Sequence, residues 1–323
     1  MQITQSSAIR SRALHFALAF ALVAGVPQAS AQSNATTAPI AAAQPASAGT
    51  LDRVRAQSKL VLGYYSDAQP MSYRDSSGNP AGYAVTLCQQ VANEVKAELG
   101  VSQLAVEWVA LTRATGMQTV QQGKIDLLCG ADAASLTNRA SVSFSLPIFP
   151  GGISALVRSD ASKALQNALE QRPLPYKPIW RASPFSPIQH RTLSVVSGTP
   201  AVDWAKERAS KLNLVAKLDT VESYDTGVTK VVNKDSDVLF GERAVLLGLA
   251  KRSAEARKLR VLTRHYTYEP LALALARNND DFRLVVDRGL MRFYATPQFG
   301  DAYKAVFGTA DADTVEYYRG LPH

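Results

Sequence analysis

The 323-residue chain is poor in the residues that build covalent or metal frameworks: two cysteines, four methionines and four histidines. Two cysteines exclude a disulfide-dense scaffold and a four-cysteine zinc module. Of the histidines, His15 lies in an apolar leader, while His190, His265 and His323 are far apart, so neither a metal cluster nor a hydrolytic triad is visible. The G-x-S-x-G, H-E-x-x-H and G-x-x-x-x-G-K-[ST] patterns are all missing, which removes the common hydrolase, metalloprotease and nucleotide-binding signatures. A membrane-spanning run is missing too. The apolar stretch from Ala13 to Val26 is too short, contains His15 and Gly25 and stops at Pro27. Basic residues are in excess, with a formal net charge of +8, but they are scattered and not interleaved with aromatics, so a nucleic-acid partner is not expected.

What is present begins with an export address. Arg10 and Arg12 precede the apolar stretch, and Ala29-Ser30-Ala31 supplies the small-residue pattern at which a secretory signal peptide is cut. Residues 1–31 are therefore expected to be a signal peptide cleaved near Ala31, and no cysteine follows it to carry a lipid anchor. Residues 32–50 are mostly Ala, Ser, Thr, Gln and Pro, a composition that cannot offset the entropy of ordering and reads as a disordered leader. The remainder is long enough for two compact units.

In an oxidising compartment an even cysteine count favours a bridge between Cys88 and Cys129. Leu87, Val91, Val95 and Leu99 recur on one helix face with Cys88 beside it, and Cys129 ends the apolar strand "IDLLC". Two buried thiols packing as small hydrophobes are the alternative. Strand and helix patterns alternate along the chain: strands at 59–65, 104–111, 124–129 and 151–159, and helices at 83–99, 280–294 and 297–307. The Pro-rich stretch 173–187 argues against a regular element. After it the alternation resumes through "TLSVVSG", "DVLFG" and "RVLTR". Such alternation predicts an α/β fold with helices on both faces of its sheets.

Several segments in fixed order carry a family resemblance: "LVLGYYSDAQPMSYRDSSGNPAGYAVTLCQQVANEV", "GKIDLLCGADAASLTNRASVSFSLPIF", "VVSGTPA", "DVLFGERAVL" and "YEPLALALARNNDDFRLVVDRGLMRFYATPQFGDAYKAVFG". Together they resemble the periplasmic polar amino-acid binding proteins of ABC transporters, solute-binding protein family 3, with the glutamate/aspartate-binding type nearest because it too has Cys-Gly after the third strand. The resemblance implies a two-lobed periplasmic-binding-protein fold, each lobe a mostly parallel sheet flanked by helices. Lobe one would be 51–148 plus 272–323 and lobe two 149–271, with Pro147, Pro150, Gly151 and Gly152 breaking the chain between strands and Pro270 marking the return. The ligand would lie in the cleft between the lobes, which close by hinge motion. It also implies a periplasmic, monomeric protein without cofactor or metal, whose partners are a small amino-acid-like ligand and an ABC transporter membrane permease.

A zwitterionic ligand needs a cation and amide donors for its carboxylate and an acid for its ammonium, because burying either charge unpaired is costly. The family supplies the cation from an Arg after the third strand. Here that position holds Asn138 and Arg139 follows, so either Arg139 reaches the cleft or the clamp is absent; a solvated helix position is the other reading. Asp132 in the same loop faces the cleft or caps the next helix. Ser197 and Thr199 sit in a strand-to-helix turn able to hold a carboxylate, unless Thr199 is a plain cap. Glu242 occupies the place of the family's ammonium partner, with a first-turn helix acid as the alternative. Tyr65, Asp67 and Tyr73 are candidates for the lobe-one wall, the tyrosines also fitting ordinary packing. Tyr65 and Gly116 stand where acidic-amino-acid binders carry basic residues, which argues against glutamate or aspartate. Cyclohexadienyl dehydratases resemble the same fold, and Glu242 could in principle be their general acid. A sensing module acting in trans is a third reading.

Overall fold

The computed structural model describes residues 49–171 and 185–321. The expected signal peptide, nearly all of the leader and most of the Pro-rich stretch lie outside the described residues. Helix α1 (Thr50–Gln57) leads into strand β1 (Lys59–Tyr65), then a small antiparallel sheet of β2 (Asp67–Ala68), β3 (Ser72–Arg74) and β4 (Pro80–Ala81). Helix α2 (Tyr83–Leu99), β5 (Ala105–Leu111), α3 (Arg113–Gln121), β6 (Leu127–Ala133), α4 (Leu136–Arg139) and β7 (Ser143–Gly151) come next. The chain then passes through β8 (Ile153–Arg158), α5 (Lys163–Glu170), β9 (Thr192–Val196), α6 (Pro200–Lys211), β10 (Lys217–Val221), α7 (Tyr224–Asn233), β11 (Val238–Glu242), α8 (Arg243–Arg252) and β12 (Leu259–Val261). It returns through β13 (Glu269–Leu275) and closes with α9 (Asp280–Tyr294), α10 (Pro297–Phe307) and α11 (Ala312–Arg319).

Two five-stranded sheets organise these elements, in the orders β5-β1-β6-β13-β7 and β10-β9-β11-β8-β12. In each, the first three strands pair in parallel and the fourth runs against both of its neighbours, so four of the five strands share one direction, the mostly parallel sheet expected, with one reversed strand. The cause is connectivity: β8 and β13 enter their sheets from the neighbouring lobe and run against the strands already there. Pro147 and Pro150 do not break the chain as expected; both lie inside β7. β7 is an edge strand, where proline is tolerated because one side of the strand makes no ladder bonds. Nor does the third strand end at Cys129: β6 continues through Gly130 and Ala131 to Ala133, opposite β13 across a bulge. Helix α11, capped by the Asp311 carboxylate on the Thr314 N–H, was not anticipated at all.

Local sequence explains the elements that hold lobe one. The stripe Leu87, Val91, Val95 and Leu99 is buried against the sheet and α9, each side chain contributing about 2 kcal/mol. Gly100 ends α2 in the left-handed region, its N–H donating to the Ala97 carbonyl. Asp126 is buried, accepts the Val61 N–H and pairs with Arg53, so it ties α1 and β1 to the start of β6. Lobe two has its own apolar core around Val157, Leu193, Val195 and Phe240.

Two connections join the sheets, residues 151–153 and 261–269. They run side by side: the Tyr266 N–H donates to the Ile153 carbonyl and the Ile153 N–H to the Thr267 hydroxyl. Gly152, at φ +119°, lies so close to the Thr267 carbonyl that a Cβ would collide with it. Behind the sheets, α8 reaches across: Ala244 is buried in the lobe-one core and Gly248 packs on Pro70. Arg243, 1% exposed, donates to the Leu262 carbonyl at 2.7 Å and to Asp311 at 2.7 Å.

Cys88 and Cys129 form a disulfide between α2 and β6, closing 41 residues. Removing a cross-link of that span frees the unfolded chain by about 4 kcal/mol. The double variant Cys88→Ser/Cys129→Ser is expected to lose stability of this order in urea unfolding, and adding reductant to it is expected to change nothing further.

Candidate ligand cleft

A cleft of 410 Å³ opens where the parallel strands of both sheets end. Its wall comes from Ala134 and Ser135 after β6, from Thr199, Pro200 and Trp204 at the start of α6, from Tyr224 at the start of α7 and from Glu242 at the end of β11. The connections complete it with Gly152 and Ile153 on one side and Thr267, Tyr268, Glu269 and Pro270 on the other. Ligands of open α/β sheets gather at such carboxyl-terminal strand ends.

Glu242 is the most constrained group in the wall. It caps α8, its Oε2 accepting the Ala244 N–H at 2.7 Å and the Val245 N–H at 3.2 Å, while Oε1 accepts the Gly152 N–H at 3.3 Å. The Glu242 N–H donates to the Tyr224 hydroxyl at 3.2 Å. Tyr224 can approach because Gly241 has no Cβ to meet its ring. Burial pushes the Glu242 carboxyl up to about 7, against the pull of its three backbone N–H partners and with the help of the Glu269 charge. The first-turn role foreseen for Glu242 and its place in the cleft are thus one arrangement.

Thr199 also lines the cleft, its hydroxyl donating to the Val196 carbonyl at 2.7 Å. Ser197 is exposed on the same turn, outside the lining. The structure does not bring the lobe-one candidates to this wall. Tyr65 is 1% exposed in an apolar cluster with Val120, Leu128 and Phe144, and its hydroxyl donates to Asp132 at 2.9 Å. Asp132 lies in β6 and not in a loop; burial raises its carboxyl above the ordinary range, and its Oδ2 has no hydrogen-bond partner. Asp67 and Tyr73 face each other in the β2–β3 pair. Arg139 is exposed, its Nε donating to the Ala134 carbonyl at 3.1 Å and its guanidinium lying 5.5 Å from the Phe144 ring centre. Arg139 thus stands beside the cleft, bonded to a residue of its lining but not itself in that lining. Asn138 donates to the Ala133 carbonyl instead.

The model for bacterial extracellular solute-binding proteins, family 3, matches residues 60–309, nearly the whole described fold. The chain belongs to that family. Among relatives of this solute-binding protein, an L-glutamate/L-aspartate-binding protein of Pseudomonas aeruginosa is 23% identical over 267 residues, covering 80% of each chain. A glutamate/aspartate import solute-binding protein of Escherichia coli is 24% identical over 234 residues, 70% of this chain and 68% of the relative. In fold, the protein is similar to a polar amino acid ABC uptake transporter substrate binding protein from Streptococcus thermophilus, with a TM-score of 0.65 at 17% identity over 84% of this chain and 94% of that one. The two-lobed architecture inferred from sequence is thus the family's own.

Trp204, Tyr224, Thr267, Tyr268 and Glu269 were not foreseen in the cleft. A signal existed for one of them, since Tyr224 comes directly after the Ser223 cap at a strand-to-helix junction. Trp204 follows Thr199 by about one turn of α6, while Thr267, Tyr268 and Glu269 reach the cleft only through the crossing of two connections. The raised carboxyl of Glu242 sets a pH dependence. Its folded state holds a proton to about 7 while the unfolded state releases it near the ordinary 4.5, so this group's contribution to stability is present below 4.5 and is lost as pH rises toward 7. The melting temperature of Glu242→Gln, followed by circular dichroism from pH 5 to 8, is expected to fall less than that of the wild type, by roughly 5 °C.

Proposed function

We propose that the protein captures a small polar solute, an amino acid or a related compound, on the outer side of the cytoplasmic membrane and delivers it to the membrane permease of an ABC importer. It works as a periplasmic monomer and binds without covalent chemistry, its lobes dividing near residues 148 and 271. The observation that carries this reading is the 410 Å³ cleft built from the strand ends of both sheets and from both connections, so that one ligand touches both lobes at once. A ligand so placed favours the closed arrangement by its differential contacts. The names of the relatives, which are import and binding proteins, support the same reading.

A second reading is favoured by one observation. A carboxyl raised to about 7 in a cleft is poised for proton donation, as in a dehydratase. The three backbone N–H groups on Glu242 support the binding role, because they fix it as a cap.

Trp204 lines the cleft, so tryptophan fluorescence is expected to respond to its occupancy, the response being lost in Trp204→Phe. A thermal-shift and tryptophan-fluorescence screen over amino acids, amines, opines and small organic acids is expected to find a ligand that stabilises by about 2.7 kcal/mol at a hundredfold excess over its Kd. With that ligand, Glu242→Ala is expected to bind at least tenfold more weakly and Arg139→Ala within twofold of wild type. Unchanged affinity in Glu242→Ala would remove the cleft from the mechanism, and consumption of prephenate by the wild type would replace capture with acid chemistry.

A further inference from the structure

The charge in the cleft is of one sign. Among the described residues, the ionisable carboxylates of its lining are Glu242 and Glu269, and no Lys, Arg or His joins them. The nearby arginines stand outside the lining. Arg243 turns its guanidinium away to Leu262, Ser154 and Asp311; Arg139 gives its Nε to the Ala134 carbonyl and lies over the Phe144 ring; Arg113 lies over the Tyr65 ring at 5.3 Å. The start of α6 is a poor substitute. Pro200 has no N–H, the Val202 N–H is taken by the Thr199 carbonyl, and the Thr199 hydroxyl points back to Val196.

A ligand carboxylate would enter this wall facing two acids and no cation, a placement that desolvation makes costly. An ammonium group meets the opposite. Glu242 Oε1 has a single long contact, to the Gly152 N–H at 3.3 Å, which leaves room on that oxygen for a charged donor. Glu269 lies near enough for its charge to act on Glu242. Three aromatic faces, Trp204, Tyr224 and Tyr268, complete the surroundings. Tyr268 is 76% exposed and stacks on His265 at 4.9 Å, so its ring is an open platform at the cleft rim. Aromatic faces beside carboxylates attract organic cations and accept their methylenes.

We propose that the cleft selects an amine cation without a carboxylate, an alkyl monoamine or diamine, with one ammonium between Glu242 and Glu269 and its chain against Trp204, Tyr224 and Tyr268. The proposal rests on the cleft being the capture site and narrows what it captures.

Matched probes test it by isothermal titration calorimetry on the mature chain. Lysine is paired with 1,5-diaminopentane and arginine with agmatine, each pair differing only in the α-carboxylate; glutamine is the zwitterion without side-chain charge. In at least one pair the decarboxylated member is expected to bind tenfold or more tightly than the amino acid. Glu269→Gln is expected to weaken that binding at least fivefold with an unchanged melting temperature, since Glu269 is exposed and caps no helix. Tighter or equal binding of lysine and arginine, or binding of glutamine alone, overturns the amine proposal and leaves solute capture standing. Full affinity in Glu269→Gln overturns it as well. Silence from all five probes, in calorimetry and in tryptophan fluorescence, overturns the amine proposal; the capture reading falls only if the wider screen of amino acids, opines and organic acids is silent too.

Discussion

Gly151 faces Glu269 and Pro150 faces Pro270 across the antiparallel pair of β7 and β13, strands from distant parts of the chain. This pairing governs both the path of the chain between the sheets and the place of the cleft. It ends sheet one, turns both strands toward sheet two, and so forces the antiparallel entry of β8 into the second sheet. Gly152 lets the two connections run in contact where any side chain would collide with the Thr267 carbonyl. The cleft opens beside this crossing, and its acids hang from it: Glu269 directly, Glu242 through its bond to the Gly152 N–H.

A second tie limits what the crossing can do. Helix α8 begins with Glu242 in the cleft, continues with Arg243 bonded to the C-terminal Asp311, and buries Ala244 against lobe one. A buried guanidinium with carboxylate and carbonyl partners is strongly destabilised if one partner is removed. The helix that carries the cleft acid is therefore seated on both lobes.

Much of the fold was legible because local signals were strong. The apolar stripe of α2 marked that helix from 83 to 99, and the ranges of α9 and α10 came from their amphipathic pattern. Where reading failed, a residue type had been taken at its average meaning. Pro147 and Pro150 read as breaks because the edge position of β7 is a tertiary fact. Gly130, Ala131 and Asp132 read as a loop because small and polar residues seldom continue a buried strand; here Gly130 leaves space for Tyr65. In the site, Glu242 and Thr199 were legible since each stands at a strand-to-helix junction. Tyr268 and Glu269 were not, because only the crossing brings them beside residues a hundred positions away. Tyr65 and Asp132 misled because a tyrosine and an acid near a strand end suit a cleft and a core pair equally well.

The wall of the cleft is drawn from connections and first helical turns, while the apolar cores lie behind it. Tyr268 and Glu269 are exposed and make few demands on packing, Tyr268 lying mostly in solvent. Substitutions there can change which solute is preferred without unsettling either core. Evolution thus has a short segment on which to retune recognition, and family members at 17–24% sequence identity can diverge in diet long before they diverge in shape.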